Sequence, residues 1–399
     1  MQFRDIVGQE KIKKRLLETV KNGRISHAQL FLGKGVNGKF ALAMAYAQYI
    51  NCTDRSDTDS CGKCPSCIKY QAMSHPDLFF SFPVNKEARS TGAAKTDTAG
   101  TNSKISRSTK ASDLVSTMFY RQWLEYLNKT NYYPELQQWY KQIEIGSKQG
   151  IINVEEARRI VRDLSFKPIE ANYKVLIIWQ PEKMNMESAN LLLKFFEEPP
   201  QKTIIIMVSD EKDQLLSTIQ SRFQIVSIPK ISDPDMKAHL EQKFPHLNKE
   251  QICTSLKLSN GDLQKAYFNI EAGEDLKEQF LLFQSWMRMS VSKGSLEAIK
   301  SFVEQISKTG REKQKDFLQY CLRLFRECLI TNYGHPSLNR LTAYEQEFFV
   351  RFAPHVHINN RQIIEKFDKA IYEIGRNANA SVLFMDLSLS LSVLLKVKE

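Results

Sequence analysis

The sequence has no long apolar run. Across its 399 residues no uninterrupted stretch approaches the roughly 20 apolar residues that a bilayer-spanning helix needs. The first residues, MQFRDIVGQEKIKK, carry charge where a secretory leader needs an apolar centre. Neither secretion nor a membrane is therefore expected, and the cytoplasm is the expected compartment. Acidic residues are in deficit, 45 against 56 Lys and Arg, which leaves a net charge of +11. That balance points to a polyanionic neighbour such as nucleic acid, although it also occurs in chains that never meet one. From residue 85 to 113 there is no aromatic side chain and only one large aliphatic, Ile105. Such a segment buries too little apolar surface to offset its ordering entropy, so a flexible loop is expected there.

What is present is the composition of a globular chain with ample core, 42% hydrophobic and 25% charged, long enough for about two to four domains. Seven cysteines in a cytoplasmic chain are poor candidates for disulfides, so their spacing carries the information. Cys253, Cys321 and Cys328 sit in apolar helical sequence and read as small core residues. Cys52, Cys61, Cys64 and Cys67 form C-x8-C-x2-C-x2-C, with Gly62 and Pro65 in the intervening turns. An all-sulfur set of four fills a tetrahedral shell, which reads as a closed structural zinc site, a redox or catalytic role being the alternative. His75 lies close enough to be a fifth candidate, but four thiolates already complete the shell.

The stretch FLGKGVNGKF nearly spells a phosphate-binding loop. In GxxxxGK followed by Ser or Thr, backbone N–H groups cradle phosphates, the Lys reaches the terminal ones and the hydroxyl holds magnesium. Gly33, Gly38 and Lys39 fit, between the end of an apolar strand at 29–32 and the helix FALAMAYAQYI. The hydroxyl is missing, because position 40 is Phe. Strand and helix alternate again further on. VEEARRIVRDL reads as an amphipathic helix ending before Pro168, YKVLIIW as a central parallel strand, ESANLLLKFFEE as a helix stopped by Pro199, and TIIIMVS at 203–209 as another buried strand. This alternation around a phosphate loop predicts an α/β fold, a three-layer nucleotide-binding core over residues 1–228. Between the two runs, MFYRQWLEYLNKTNYYPELQQWYKQI reads as two short helices split near Pro134. Its aromatics either pack on the body of the protein or stack on bases, and the sequence leaves both open.

A second part of a nucleotide-hydrolysing site is missing as well. The strand YKVLIIW should end in carboxylates for magnesium and the attacking water, and it ends in Trp179 and Gln180. Glu182, beyond Pro181, is the nearest substitute.

VGQ at 7–9, HAQLFLGKGVNGK at 27–39, the four-cysteine module, SHPDL at 74–78, NLLLKFFEEPP at 190–200 and STIQSR at 217–222 follow one another in an order that resembles the bacterial clamp-loader subunits of DNA polymerase III, a branch of the AAA+ ATPases. The likeness covers about residues 3–272 and fades beyond. It implies an AAA+ type core with a parallel sheet (1–228, with the zinc module at 52–67), a small helical lid domain (229–272) and an all-helical collar domain for oligomerisation (273–399). Residues of about 85–147 have no counterpart in the shorter family members and read as an insertion. Gamma-type members carry Ser or Thr in place of Phe40, an Asp-Glu pair in place of Trp179 and Gln180, and a phosphate-sensing Arg in place of Gln264. The departures run toward the delta prime type. The resemblance thus implies a non-hydrolysing subunit with weak or absent ATP binding, with gamma/tau and delta subunits as partners and the sliding clamp and primed DNA as indirect ones. It also implies that Arg222 of the SR pair acts as an arginine finger on a neighbouring subunit's nucleotide. The alternatives are a gamma-type ATPase using Glu182 and a free-standing DNA-binding regulator.

Overall fold

The computed structural model describes the chain except residues 87, 89–113, 147, 292–295, 336–337, 357–358, 377 and 396–399. Most of the low-complexity stretch 85–113 thus lies outside the described residues. The remainder divides into two compact units, Met1–Lys243 with Gly261–Gln264, and Phe244–Asn260 with Lys265–Glu399. The boundary between them runs through the segment expected as a lid.

The first unit begins with helix α1 (Glu10–Lys21), strand β1 (Ala28–Leu32), α2 (Lys39–Ile50), α3 (Pro65–Gln71) and β2 (Leu78–Ser81). The segment expected as an insertion holds α4 (Tyr120–Lys129) and α5 (Leu136–Gln142) on either side of Pro134. Then come α6 (Val154–Leu164), β3 (Lys174–Trp179), α7 (Met186–Glu197), β4 (Thr203–Ser209), the single turn α8 (Ser217–Gln220), β5 (Gln224–Ser227) and α9 (Asp233–Lys243). The strands form one five-stranded parallel sheet in the order β2-β3-β4-β1-β5. Both faces of the sheet are covered over its central strands, which is why β3 and β4 are buried along their whole length while the edge strand β5 is partly exposed. Leu30, Leu176, Ile178, Ile205 and Met207 form one core with Ile160, Leu164, Leu192 and Phe196 of α6 and α7. The opposite face meets α2, every residue of which is buried. The result is the expected three-layer α/β core.

The SHPDL motif serves this scaffold. The Asp77 carboxylate of SHPDL accepts the backbone N–H groups of Ile169, Glu170 and Ala171 at 2.7–2.8 Å, pinning the loop that leads into β3. His75 is buried against Tyr70, and its Nδ1 accepts the Asp77 N–H.

The second unit is all-helical: α10 (Lys249–Ser259), most of α11 (Leu263–Glu271), then α12 (Gly273–Val291), α13 (Leu296–Ser307), α14 (Arg311–Asn332), α15 (Ala343–Val356), α16 (Asn360–Gly375) and α17 (Ala380–Leu394). Trp286, Phe325, Phe349, Phe367 and Phe384 centre its core, and the indole N–H of Trp286 donates to Ser388 Oγ at 2.9 Å. Cys321 and Cys328 are buried as expected. Cys253 is not a core residue but exposed, because α10 turns Ile252 and Leu256 inward and carries Cys253 to the other face. No helix among the described residues is long and apolar enough to cross a membrane.

Candidate functional site

The loop between β1 and α2 is held from three sides. Gly33 N–H donates to Ser209 O at the end of β4. Asn37 Nδ2 donates to Ile228 O at 2.8 Å, and a Cβ on Gly33 would collide with both groups, at 2.3 and 2.4 Å. Gln9 of the VGQ motif donates through Nε2 to Asn37 O and Pro229 O. The loop closes on Gly38, whose φ of +91° favours glycine, and Lys39 opens α2. The sequence-predicted Gly33, Gly38 and Lys39 are thus brought into one tight turn at the C-terminal edge of the sheet.

Lys39 is buried, and two of its three donor positions are taken: Nζ donates to Gly35 O at 2.5 Å and pairs with Asp210 Oδ1 at 2.5 Å. Asp210 stands directly after β4, which lies beside β1 in the sheet. Its Oδ2 accepts Gln180 Nε2 at 2.8 Å. Gln180 itself holds a left-handed backbone, φ +58°, at the turn that leaves β3. Glu182 follows it, its Oε1 accepting the Asp210 N–H at 3.3 Å. Its Oε2 is buried with no hydrogen-bond partner among the described residues. Burial, reinforced by the charge of Asp210, raises the Glu182 carboxyl above its ordinary range.

Phe40 and Trp179, two of the positions at which the resemblance implied a hydroxyl and carboxylates, belong to an aromatic cluster. Trp123 of α4 is fully buried, edge-on to Phe40 at 5.7 Å and tilted against Trp179 at 5.0 Å. It stacks on Phe82 at 4.4 Å and meets Trp139 of α5 at 5.1 Å. The Trp139 indole N–H donates to Pro83 O, so its one polar atom is satisfied. Trp123 and Trp139 therefore pack on the core, which favours the first of the two alternatives that the sequence left open. The start of this segment is tied down by a buried ionic group: Glu156 of α6 accepts Ser116 Oγ at 2.6 Å, Ser116 N–H at 2.9 Å and Arg159 Nη2 at 2.7 Å.

Tyr133 is the residue that the sequence did not single out. It follows two left-handed residues, Asn131 and Tyr132, which turn the chain between α4 and α5. Its ring comes within 3.4 Å of where a Cβ on Gly38 would stand. Its Oη accepts the Val7 N–H at 3.0 Å, and its carbonyl accepts Gln264 Nε2 at 3.0 Å.

The four cysteines converge as the spacing predicted. One Sγ from each of Cys52, Cys61, Cys64 and Cys67 lies within 4.8 Å of all the others. The Cys52–Cys64 and Cys61–Cys67 pairs stand at 4.0 Å, close to the roughly 3.8 Å edge of a tetrahedron with Zn–S bonds of about 2.3 Å. Backbone N–H groups of Cys61, Cys64 and Cys67 donate to the sulfurs of Cys52, Cys61 and Cys64 at 3.3–3.4 Å, as suits thiolates. Without an ion, burial pushes the Cys52 and Cys67 thiols up, while at Cys64 burial is outweighed by hydrogen bonds from Thr53 and the Cys67 N–H, which bring it down to about 6. Gly62, at φ +72°, packs its Cα against the Gln2 side chain and ties the module to the start of the chain. The donor set fits a structural zinc ion, which would crosslink the end of α2 to α3.

Arg222 lies after α8 with its side chain 27% exposed. Its guanidinium is paired with Glu197 at the end of α7, Nε to Oε1 at 2.8 Å, and Nη1 donates to Thr218 O at 2.6 Å. It thus closes the C-terminus of α8 and links it to the EEPP segment.

Residues 8–232, more than half of the chain, match the family described as DNA polymerase III, delta subunit. The chain is 22% identical over 238 residues to the DNA polymerase III subunit tau/gamma of Haemophilus influenzae, covering 60% of this chain and 25% of that one. Against the delta' subunit of Bacillus subtilis it is 22% identical over 263 residues, 64% and 60% of the two chains. Against the gamma subunit of Buchnera aphidicola it is 20% identical over 393 residues, 96% and 85%.

Proposed function

The chain belongs to the DNA polymerase III delta-subunit family, and from that premise we propose that it is a non-hydrolysing subunit of the clamp loader, of the delta prime type. It would act in the cytoplasm with gamma/tau and delta subunits, helping them place the sliding clamp on primed DNA. The observation that carries the reading is the position of Trp123. Its ring lies against both Phe40 and Trp179, so apolar surface fills the space where magnesium needs a hydroxyl and carboxylates. Lys39, the residue that would reach the terminal phosphates, is held by Asp210 instead.

The competing reading is a gamma-type ATPase with Glu182 as its carboxylate. Against it stands the environment of Glu182, whose burial favours the protonated form, a poor ligand for magnesium. Steady-state ATPase of the isolated chain, with and without primed DNA, separates the two. The proposal expects no magnesium-dependent turnover, and measurable turnover overturns it. Co-purification with gamma and delta subunits tests the assembly itself, including the collar role assigned to the helices after residue 272. Within the assembly Arg222 is proposed as the residue that reaches a neighbour's nucleotide, and the zinc as a purely structural ion.

A further inference from the structure

Several of the groups that a bound phosphate would use are already engaged by the chain itself. Lys39 Nζ is paired with Asp210. The Val36 N–H of the loop donates to Asp262 Oδ2 at 3.0 Å, and a Cβ on Gly35 would stand 2.6 Å from that same oxygen. Over Gly38 lies Tyr133, 2% exposed, fixed through its hydroxyl by Val7 and through its carbonyl by Gln264. Two carboxylates and one aromatic ring thus cover the loop from three elements far apart in the sequence.

We propose that the aromatic segment at residues 116–143, together with Asp210 and Asp262, is a resident occupant of the nucleotide site: it takes the room and the polar contacts of ATP and magnesium, so that the chain binds no nucleotide. This rests on the reading of the loop as one that has lost hydrolysis, and assigns a role to the insertion. A polyphosphate entering the loop would have to separate buried Lys39 from the partly exposed Asp210, bring its negative charge against Asp210 and Asp262, and expel Tyr133 into water. Each of these opposes binding. The converse need is also physical. A nucleotide pocket left empty loses the contacts of its lining, and close-packed interiors do not tolerate such voids cheaply. The segment fills that space with side chains most of whose polar atoms find partners, since Tyr133 accepts the Val7 N–H and Trp139 donates to Pro83 O, the Trp123 indole N–H being buried without one among the described residues. A core filled in this way keeps one shape whether or not ATP is present.

The test uses the full chain and fluorescent (N-methylanthraniloyl) ADP and ATP, each with magnesium and with a chelator. Wild type is expected to show no saturable binding. Asp210→Asn, which frees Lys39, and Tyr133→Ala, which uncovers Gly38, are each expected to raise affinity by roughly tenfold or more. Adding Lys39→Ala to either should abolish the gain. Should Tyr133→Ala not fold, as circular dichroism would report, Asp210→Asn decides alone, since its side chain is 37% exposed and well tolerated. Saturable wild-type binding overturns the proposal. So does a folded variant set that binds no better than wild type, or a gain that survives Lys39→Ala. Turnover is read in the same samples: hydrolysis by a variant that has gained binding supports the resident occupant and overturns the loss of chemistry instead.

Discussion

The ring of Trp123 stands edge-on to Phe40, centroids 5.7 Å apart and planes at 88°. One member of the pair stands in the first turn of the helix of the phosphate loop and the other belongs to α4, so a residue that departs from the phosphate-loop pattern is a packing partner of the segment that the sequence reads as an insertion.

Phe40→Thr restores the side chain that the loop pattern asks for, and it is expected to gain no ATPase activity. Trp179 and Gln180 still offer no carboxylate, and Trp123 still fills the space between. The change should instead lower stability by roughly 2–4 kcal/mol, from lost ring contacts and a hydroxyl placed among aromatics. Urea unfolding and a coupled ATPase assay read both outcomes, and magnesium-dependent hydrolysis by this single variant contradicts the expectation.

Glu182 offers a test by pH. Its folded-state pKa is raised above the ordinary carboxylate value, so at neutral pH the ionised form costs stability, and that cost is relieved as pH falls through the folded pKa toward the unfolded one near 4.5. Glu182→Gln removes the titrating group. The variant is expected to be more stable than wild type at pH 7, by about 1.4 kcal/mol for each pKa unit of the shift, and the difference should shrink toward pH 4.5. Denaturant midpoints across that range measure it. A variant less stable than wild type at neutral pH would mean that the fold stabilises the ionised carboxylate, against the expected direction.

Much of this was legible locally. TIIIMVS is strand β4 from first residue to last, because an unbroken apolar, β-branched-rich run leaves few alternatives, and α7 stops where Pro199 forbids its continuation. The cysteine spacing announced its cluster because all four ligands lie within one excursion of the chain. What stayed hidden depends on strand order. Asp210 reaches Lys39 only because β4 lies beside β1. Tyr133 reaches Gly38 only once α4 and α5 have folded back over the sheet edge. A dense aromatic run shows that something will be buried, not which surface it buries. Cys253 failed for a smaller reason: an apolar helix has two faces, and one residue's displacement along α10 decides between core and solvent.

One zinc ion per chain is expected on elemental analysis of protein purified without chelator. Cys64→Ser, or chelation, should speed hydrogen exchange over residues 52–71 while the second unit keeps its protection, because the ion crosslinks only the end of α2 and α3. Zinc-free protein with an unchanged exchange pattern would remove the site.

The Arg222–Glu197 pair sets up the final expectation. In the isolated chain the guanidinium is partly exposed and held by Glu197 and the Thr218 carbonyl. Exposed pairs of this kind contribute at most about 1 kcal/mol, so Arg222→Ala should barely change the stability of the chain. If Arg222 reaches a neighbour's nucleotide, the same substitution should slow the clamp- and DNA-stimulated ATPase of the assembled complex. Fingers in related phosphoryl-transfer systems are worth roughly 10³ to 10⁵ in rate, here confined to one site among several. Arg222→Lys should be impaired as well, since a point charge does not reproduce a planar, bidentate fork. Gel filtration must first confirm that both mutant complexes remain intact. Wild-type rates in both would leave Arg222 as the residue that closes α8 against Glu197 and nothing more. A rate loss together with unchanged melting of the isolated subunit would place its action across the subunit boundary.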